Sequence, residues 1–363
     1  MKRSISVGLS ILLSAGLLLM GCQTKEVTSA KVYIQQDDWD KAIEQLEQAI
    51  ALYPDDPEAH YLLGQGYGKK GDFEGMTREF DASLAISETF KPKIDDMRQY
   101  YWGTNFNTGI KYHKDNNYEA SLKSFQTSIL IDPKRPEPYK NLAVVYLSMD
   151  SVARAAEVYE KLVEMQPNDG EALRQLAQFR RELNEYDEAI ELLQKALEIN
   201  SQDVDALNAL ALNYDLKGDS EKAFEIYKEA LENAPDNTDI MFNYARLFYL
   251  RGDYDSAINW FGKILKIKPD DHECNLNVGN AYLSIGEQYR KELRAKEEKD
   301  QSITQEESDK LKSFYCNAIP YLEKCSEMQP DNANLWNNLG VAYVNCGQKE
   351  KGEEAFKKAE ELK

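Results

Sequence analysis

From residue 23 onward, apolar residues recur three and four positions apart, in blocks separated by short polar stretches rich in Gly, Asp, Asn and Pro. That spacing gathers apolar side chains on one face of an α-helix, so each block predicts an amphipathic helix. The blocks come in pairs, and the pairs repeat every 34 residues. Aligned units start near Gln23, Pro57, Trp102, Pro136, Gly170, Val204, Thr238, His272 and Ala333. A period of this length predicts a solenoid in which each unit buries its apolar face on its neighbours.

The repeat is marked by side-chain size. Its eighth residues are Ala30, Gly64, Gly109, Ala143, Ala177, Ala211, Ala245, Gly279 and Gly340, all of them small. Its eleventh residues are Tyr33, Tyr67, Tyr112, Tyr146, Arg180, Tyr214, Phe248, Tyr282 and Tyr343, aromatic except for Arg180. Small residues let two helices approach closely, and aromatic rings fill the remaining space. Pairs such as Gly218-Asp219 and Gly252-Asp253 end one helix and begin the next turn. Prolines such as Pro167, Pro235 and Pro269 close the units.

The strings LWNNLGVAYVNCG from Leu335 and LNALALNYDLKGDSEKAFEIYKEALENAP from Leu207 resemble tetratricopeptide repeats. The resemblance extends over residues 23–363. It implies an all-α, right-handed superhelical solenoid of about nine helical hairpins that binds protein or extended peptide, with no cofactor.

Two units depart from the period. Residues about 91–101, KPKIDDMRQYY, are extra, and Pro92 suits a first helical turn, so a helix is expected from there to about His113. Tyr100, Tyr101, Trp102 and Phe106 cluster on it, as an aromatic docking patch or as packing of the overhang on the second unit. The eighth unit carries an insertion at about 287–311. It reads as two lengthened helices joined near Gln301 to Thr304, with Thr304 and Glu307 spaced as a capping box.

Residues 1–22 differ from the rest. Lys2 and Arg3 precede an apolar run from Val7 to Met20, too short for a comfortable membrane span. Leu19-Met20-Gly21-Cys22 resembles the lipobox of bacterial lipoproteins, which implies cleavage before Cys22 and lipidation of that cysteine. Gln23 after it resembles an outer-membrane address. The expected location is the cell envelope, lipid-anchored at the periplasmic face of the outer membrane. Alternatives are an ordinary signal peptide or an uncleaved anchor.

The net charge of −19 disfavours nucleic acid and anionic lipid headgroups as partners, leaving the lipid as the membrane contact. Cys274, Cys316, Cys325 and Cys346 fall in the last two units. In antiparallel hairpins, Cys274 lies level with Cys325 and Cys316 with Cys346, so two bridges are conceivable beside four buried thiols. His60, His113 and His272 lack metal-site spacing, and no nucleophile sits in a recognisable elbow, so the chain reads as a non-enzyme without a metal. Gly66 to Gly71 fits G-x-G-x-x-G, but at the end of an expected helix rather than after a strand.

The first helix of each unit is expected to line a concave groove. Asn107, Asn141, Gln175, Asn243, Asn277 and Asn338 share the sixth position, and Asn280 falls on the same face. This resembles the asparagine ladder of peptide-binding members of the family, although Asn is also common there in ordinary repeats. Lys140, Arg174, Arg181 and Arg246 add cations, and Phe242, Tyr249, Leu147 and Leu212 lie among them. Such a stripe suits a peptide bearing acidic residues or a carboxylate. The opposing reading pairs these arginines with Glu171, Asp205 and Asp215. The expected role is an envelope scaffold that assembles a protein complex. The alternatives are a peptide-capturing chaperone or receptor, and a peptidoglycan or carbohydrate binder.

Overall fold

The computed structural model describes residues 24–363. The leader, Cys22 and Gln23 lie outside the described residues, so the lipobox reading has no counterpart here. Among the described residues the regular structure is helical throughout. Two compact units divide the chain, one ending at Ser151 and the other running Val152–Lys363. The division falls inside the fourth sequence repeat, between its two helices.

The first unit holds α1 (Lys25–Gln35), α2 (Trp39–Leu52), α3 (Pro57–Lys70), α4 (Phe73–Ile86), α5 (Lys91–Lys114), α6 (Tyr118–Ile131) and α7 (Pro136–Ser148). The second holds α8 (Val152–Met165), α9 (Gly170–Glu182), α10 (Tyr186–Ile199), α11 (Val204–Lys217), α12 (Ser220–Asn233), α13 (Thr238–Leu250) and α14 (Tyr254–Ile267). It continues with α15 (His272–Glu297), α16 (Gln305–Met328), α17 (Ala333–Cys346) and α18 (Lys349–Glu361). Within each unit, consecutive helices pack on one another, except that α4 packs chiefly on α6 rather than on α5.

Local chemistry sets the helix ends. Asp72 and Asp219 accept from the backbone N–H of Gly75 and Lys222, capping α4 and α12. Among the described residues, the turn between the two helices of each sequence repeat passes through one residue with positive φ. Gly71, Gly218, Gly252 and Gly347 hold it in four, and Asp37, Asn116, Asp150, Asn184 and Asp300 in the others. Asp and Asn tolerate this left-handed conformation better than other side chains do.

The small eighth residue is a point of close approach. A Cβ on Gly64 would lie 2.5 Å from Phe80 Cδ1 on the partner helix α4. Ala211 and Tyr227 are both fully buried in one cluster of the second unit.

The extra residues of the third repeat begin α5 early, at Lys91. Trp102 is buried, Phe106 stacks on it at 5.0 Å, and Tyr101 meets Phe73 edge-on at 5.4 Å. Most of the aromatic cluster is therefore packing, and only Tyr100 is largely exposed, at 66%. The long insertion lengthens α15 and α16, joined through Asp300. Thr304 and Glu307 form the capping box, and Lys296 reaches Glu307 Oε1 at 2.7 Å.

One of the two conceivable disulfides is present. Cys316 on α16 and Cys346 on α17 are bonded, with Cα atoms 4.9 Å apart. Cys274 and Cys325 are free and buried in different apolar clusters. Burial pushes both thiols up, Cys325 to about 11. No described helix is long and apolar enough to cross a membrane.

Candidate functional site

The helix period places the residues of one stripe of α9, α11, α13, α15 and α17 on the same face. In the second unit this stripe is tied from helix to helix by polar side chains. Arg174 on α9 is held by Glu171, by Asp203 at 3.2 Å and by Asp205 at 3.3 Å. Arg246 on α13 is held by Asp215 on α11, whose side chain is only 9% exposed. The reading that pairs these two arginines inside the groove is thus the observed one. Arg181 differs: it is half-buried and makes no ion pair among the described residues.

Tyr227 marks where these charges converge. It is fully buried, and its hydroxyl has no hydrogen-bond partner. Burial pushes that hydroxyl's pKa up and Asp215 adds to the shift, while Arg246 and Arg181 oppose it. Arg181 on α9 therefore acts on the same spot as the Asp215–Arg246 pair, and leaves there a cation with no carboxylate of its own.

The amide residues are largely engaged within the protein. Asn243 donates to Asn208 Oδ1 at 3.5 Å, and Asn338 donates to Asn280 Oδ1 at 3.0 Å. Asn277 donates back to Glu273 O at 2.9 Å, and Gln175 to Glu171 Oε1 at 3.4 Å. Phe242 meets Phe261 edge-on at 5.4 Å, and Tyr249 meets Tyr254 at 5.2 Å. Phe242 and Asn243 also line a cleft of about 270 Å³ with Thr238, Lys268 and Glu273. Leu212 is half-buried on α11.

In the first unit, Asn107 is exposed on α5, and Lys140 and Leu147 are half-buried on α7. Asn141 donates back to Glu137 O at 2.9 Å. The predicted site residues thus fall in two sets, one per unit. Asp203 and Asn208 complete the second set and were not expected. The signal for Asn208 in the sequence is its spacing of 35 from Asn243, close to one repeat; that for Asp203 is its place as the N-cap of α11.

The remaining sequence candidates are dispersed. His60 is buried between Glu79 Oε2 at 2.7 Å and Pro54 O at 2.9 Å. His113 faces Ser148 Oγ at 3.1 Å. Among the described residues no group of three His, Cys, Asp or Glu side chains is placed to hold a metal ion. The stretch Gly66 to Gly71 belongs to α3 and its C-terminal cap.

Models of the tetratricopeptide repeat match residues 136–169, 168–236, 216–276 and 321–354, and a TPR repeat model matches residues 30–71. Among solved structures, the chain is similar to a tetratricopeptide repeat protein from Parabacteroides merdae ATCC 43184. The two are 18% identical over 72% of this chain and 93% of that one, with a TM-score of 0.50. It is also similar to the MamA protein, 23% identical over 46% of this chain and 91% of that one, with a TM-score of 0.42. The first of these likenesses is one of fold. Comparison with curated proteins gives no match. The repeat models together span more than half of the chain, which belongs to the tetratricopeptide-repeat family.

Proposed function

We propose that this protein is a lipid-anchored scaffold of a bacterial cell envelope, which holds partner proteins on the first-helix face of its repeats and helps assemble an envelope complex. As an array of tetratricopeptide repeats, the chain is a protein–protein interaction scaffold. The observation that carries the finer reading is Arg181, a half-buried cation beside an already paired Asp215–Arg246 couple. It leaves that face with unspent positive charge in a protein of net charge −19, which suits an acidic segment of a partner.

Export is supported by the leader and lipobox at residues 1–22 and by the Cys316–Cys346 bridge, since disulfides persist in oxidising compartments. Mass spectrometry of the mature N-terminus is expected to find an acylated Cys22. An unmodified N-terminus downstream of it removes the anchor from the proposal.

A photo-cross-linking amino acid at Phe242, compared with one at Lys195 on the exposed side of α10, tests the binding face. Adducts with folded envelope proteins from Phe242, lost in Arg181→Glu, are the expected result. Adducts from Lys195 alone move binding to another surface. A second reading, capture of one extended peptide, is favoured by the cleft beside Phe242 and Asn243, which has room for a single side chain. Adducts that all map to one unstructured segment select it.

A further inference from the structure

The added turns of α5 do more than pack aromatic rings. Asp95, Arg98 and Gln99, all ahead of Trp102 where the regular repeat resumes, line a cleft of about 470 Å³ with α4 and the α6–α7 turn. Arg98 donates from Nη2 to Asp81 Oδ1 at 2.6 Å, but its Nε–H is buried without an acceptor. On the α4 wall, the Thr77 hydroxyl is also buried and unpartnered. Arg135 donates from Nε to Asp132 Oδ2 at 2.8 Å and from Nη2 to Gln99, and its guanidinium lies 4.1 Å from the centre of the Trp102 ring. The indole N–H of Trp102, behind Arg135 and outside the cleft lining, is also buried without an acceptor.

Buried polar groups are normally paired, so two unsatisfied donors on residues lining one cleft mark a place that no acceptor of the protein itself reaches. We propose that this cleft is a binding site for a carboxylate group. A guanidinium edge and a planar carboxylate match as two parallel hydrogen bonds, and the Thr77 hydroxyl adds a third donor. Charge selects against a phosphate. Asp81, Asp95 and Asp132 already balance Arg98, Arg135 and Lys134 along the lining, so a dianion meets three carboxylates while a monoanion meets little net field. Lys134 makes no ion pair among the described residues and is exposed at the rim, where it can receive the incoming charge. The cleft lies wholly in the first unit, whereas Arg181 and Phe242 lie in the second. The two proposals therefore stand or fall separately.

The test is an arginine Nε–H NMR titration of the full chain, with the Arg98 signal assigned by its loss in Arg98→Lys. N-acetylglycine represents a chain terminus and acetate a free small carboxylate, both monoanions. A saturable shift of the Arg98 signal with either is expected. Whichever of the two binds more tightly identifies the source of the carboxylate. Thr77→Val, which keeps side-chain shape, is expected to weaken binding by about fivefold through one lost hydrogen bond, with helicity and melting unchanged. No shift with either ligand up to about 20 mM, far weaker than functional affinities, overturns the proposal. An equal response to N-acetylglycinamide or to inorganic phosphate also overturns it.

Discussion

Arg180 donates a hydrogen bond to Glu160, twenty residues before it in the chain. Tyr67 does the same to Glu47, and Tyr343 to Glu323, over the same separation. Tyr214 takes part in the equivalent pair as acceptor from Gln194 at 3.3 Å. In these four repeats the eleventh residue thus ties its first helix to the second helix of the repeat before it. Arg180, the one non-aromatic residue at this position, keeps the tie and adds a second to Glu185. Arg180→Tyr is therefore expected to leave stability within about 0.5 kcal/mol of the parent. Arg180→Ala is expected to cost about 1 kcal/mol, because both the tie and the packed side-chain stem are lost. Urea unfolding of both variants checks this, and equal losses would contradict the role of the tie.

The turn glycines isolate a purely conformational effect. A Cβ on Gly218 would touch nothing within 4 Å, yet the residue has φ of 94°. Gly218→Ala is expected to destabilise the chain by about 1–2 kcal/mol through the left-handed backbone alone. Asn184→Ala, at the equivalent turn with φ of 63°, is expected to cost less, because Asn already bears part of that strain. Thermal melts of the pair give the comparison.

Arg246 and Arg181 are expected to behave differently on removal. Arg246→Leu strands the nearly buried Asp215 carboxylate and should cost about 1–3 kcal/mol, less than a fully buried pair because Arg246 itself is one-third exposed. Arg181→Leu removes no ion pair and should change stability by less than about 0.5 kcal/mol. Denaturant midpoints that rank the two the other way would place the structural cation at Arg181.

The tip of the long hairpin should respond to acid. The Lys296 ammonium, then the Thr304 backbone N–H, hold the Glu307 carboxyl down to about 2. Its folded value lies below its unfolded one, so the stabilisation is complete above the ordinary carboxylate range and is lost as pH falls through about 2. A carboxyl-carbon NMR titration should place the Glu307 midpoint well below those of exposed glutamates. Lys296→Ala should return it toward the ordinary value.

Reduction should act on the C-terminal repeats. Cys316 and Cys346 close a loop with a sequence separation of 30. A loop of that length is expected to contribute about 3–4 kcal/mol in the chain-entropy view. Melting should fall with reductant in the parent and not in a Cys316→Ser, Cys346→Ser variant. Non-reducing peptide mapping should find this pair linked, with Cys274 and Cys325 as thiols.

Helix periodicity, the small eighth residue and the turn signals carried the helices, both insertions and the capping box at Thr304 in plain view. Each depends on neighbours close in sequence. What stayed hidden depends on which side chains meet across helices. Arg174, Arg181 and Arg246 are alike as letters, but the carboxylates on α11 and at its N-cap, Asp203, Asp205 and Asp215, decide which are neutralised. The two possible disulfides were level on the hairpins. The structure bonds only Cys316 to Cys346, while the Cys325 thiol donates to His272 O at 3.5 Å rather than meeting Cys274. The unpaired donors at Thr77, Arg98 and Trp102 have no sequence signal at all, since each residue type is usually satisfied when buried.

Helical repeat arrays hold together through neighbour contacts, so they fray from whichever end is least restrained. The sulfur link between α16 and α17 removes that freedom at one end of the second unit. The α17–α18 hairpin cannot separate freely from the long hairpin before it, because α17 stays bound to α16 through Cys346. Hydrogen exchange should consequently show α16 and the tethered stretch of α17 opening as one event in the parent, and as separate events once the bridge is reduced.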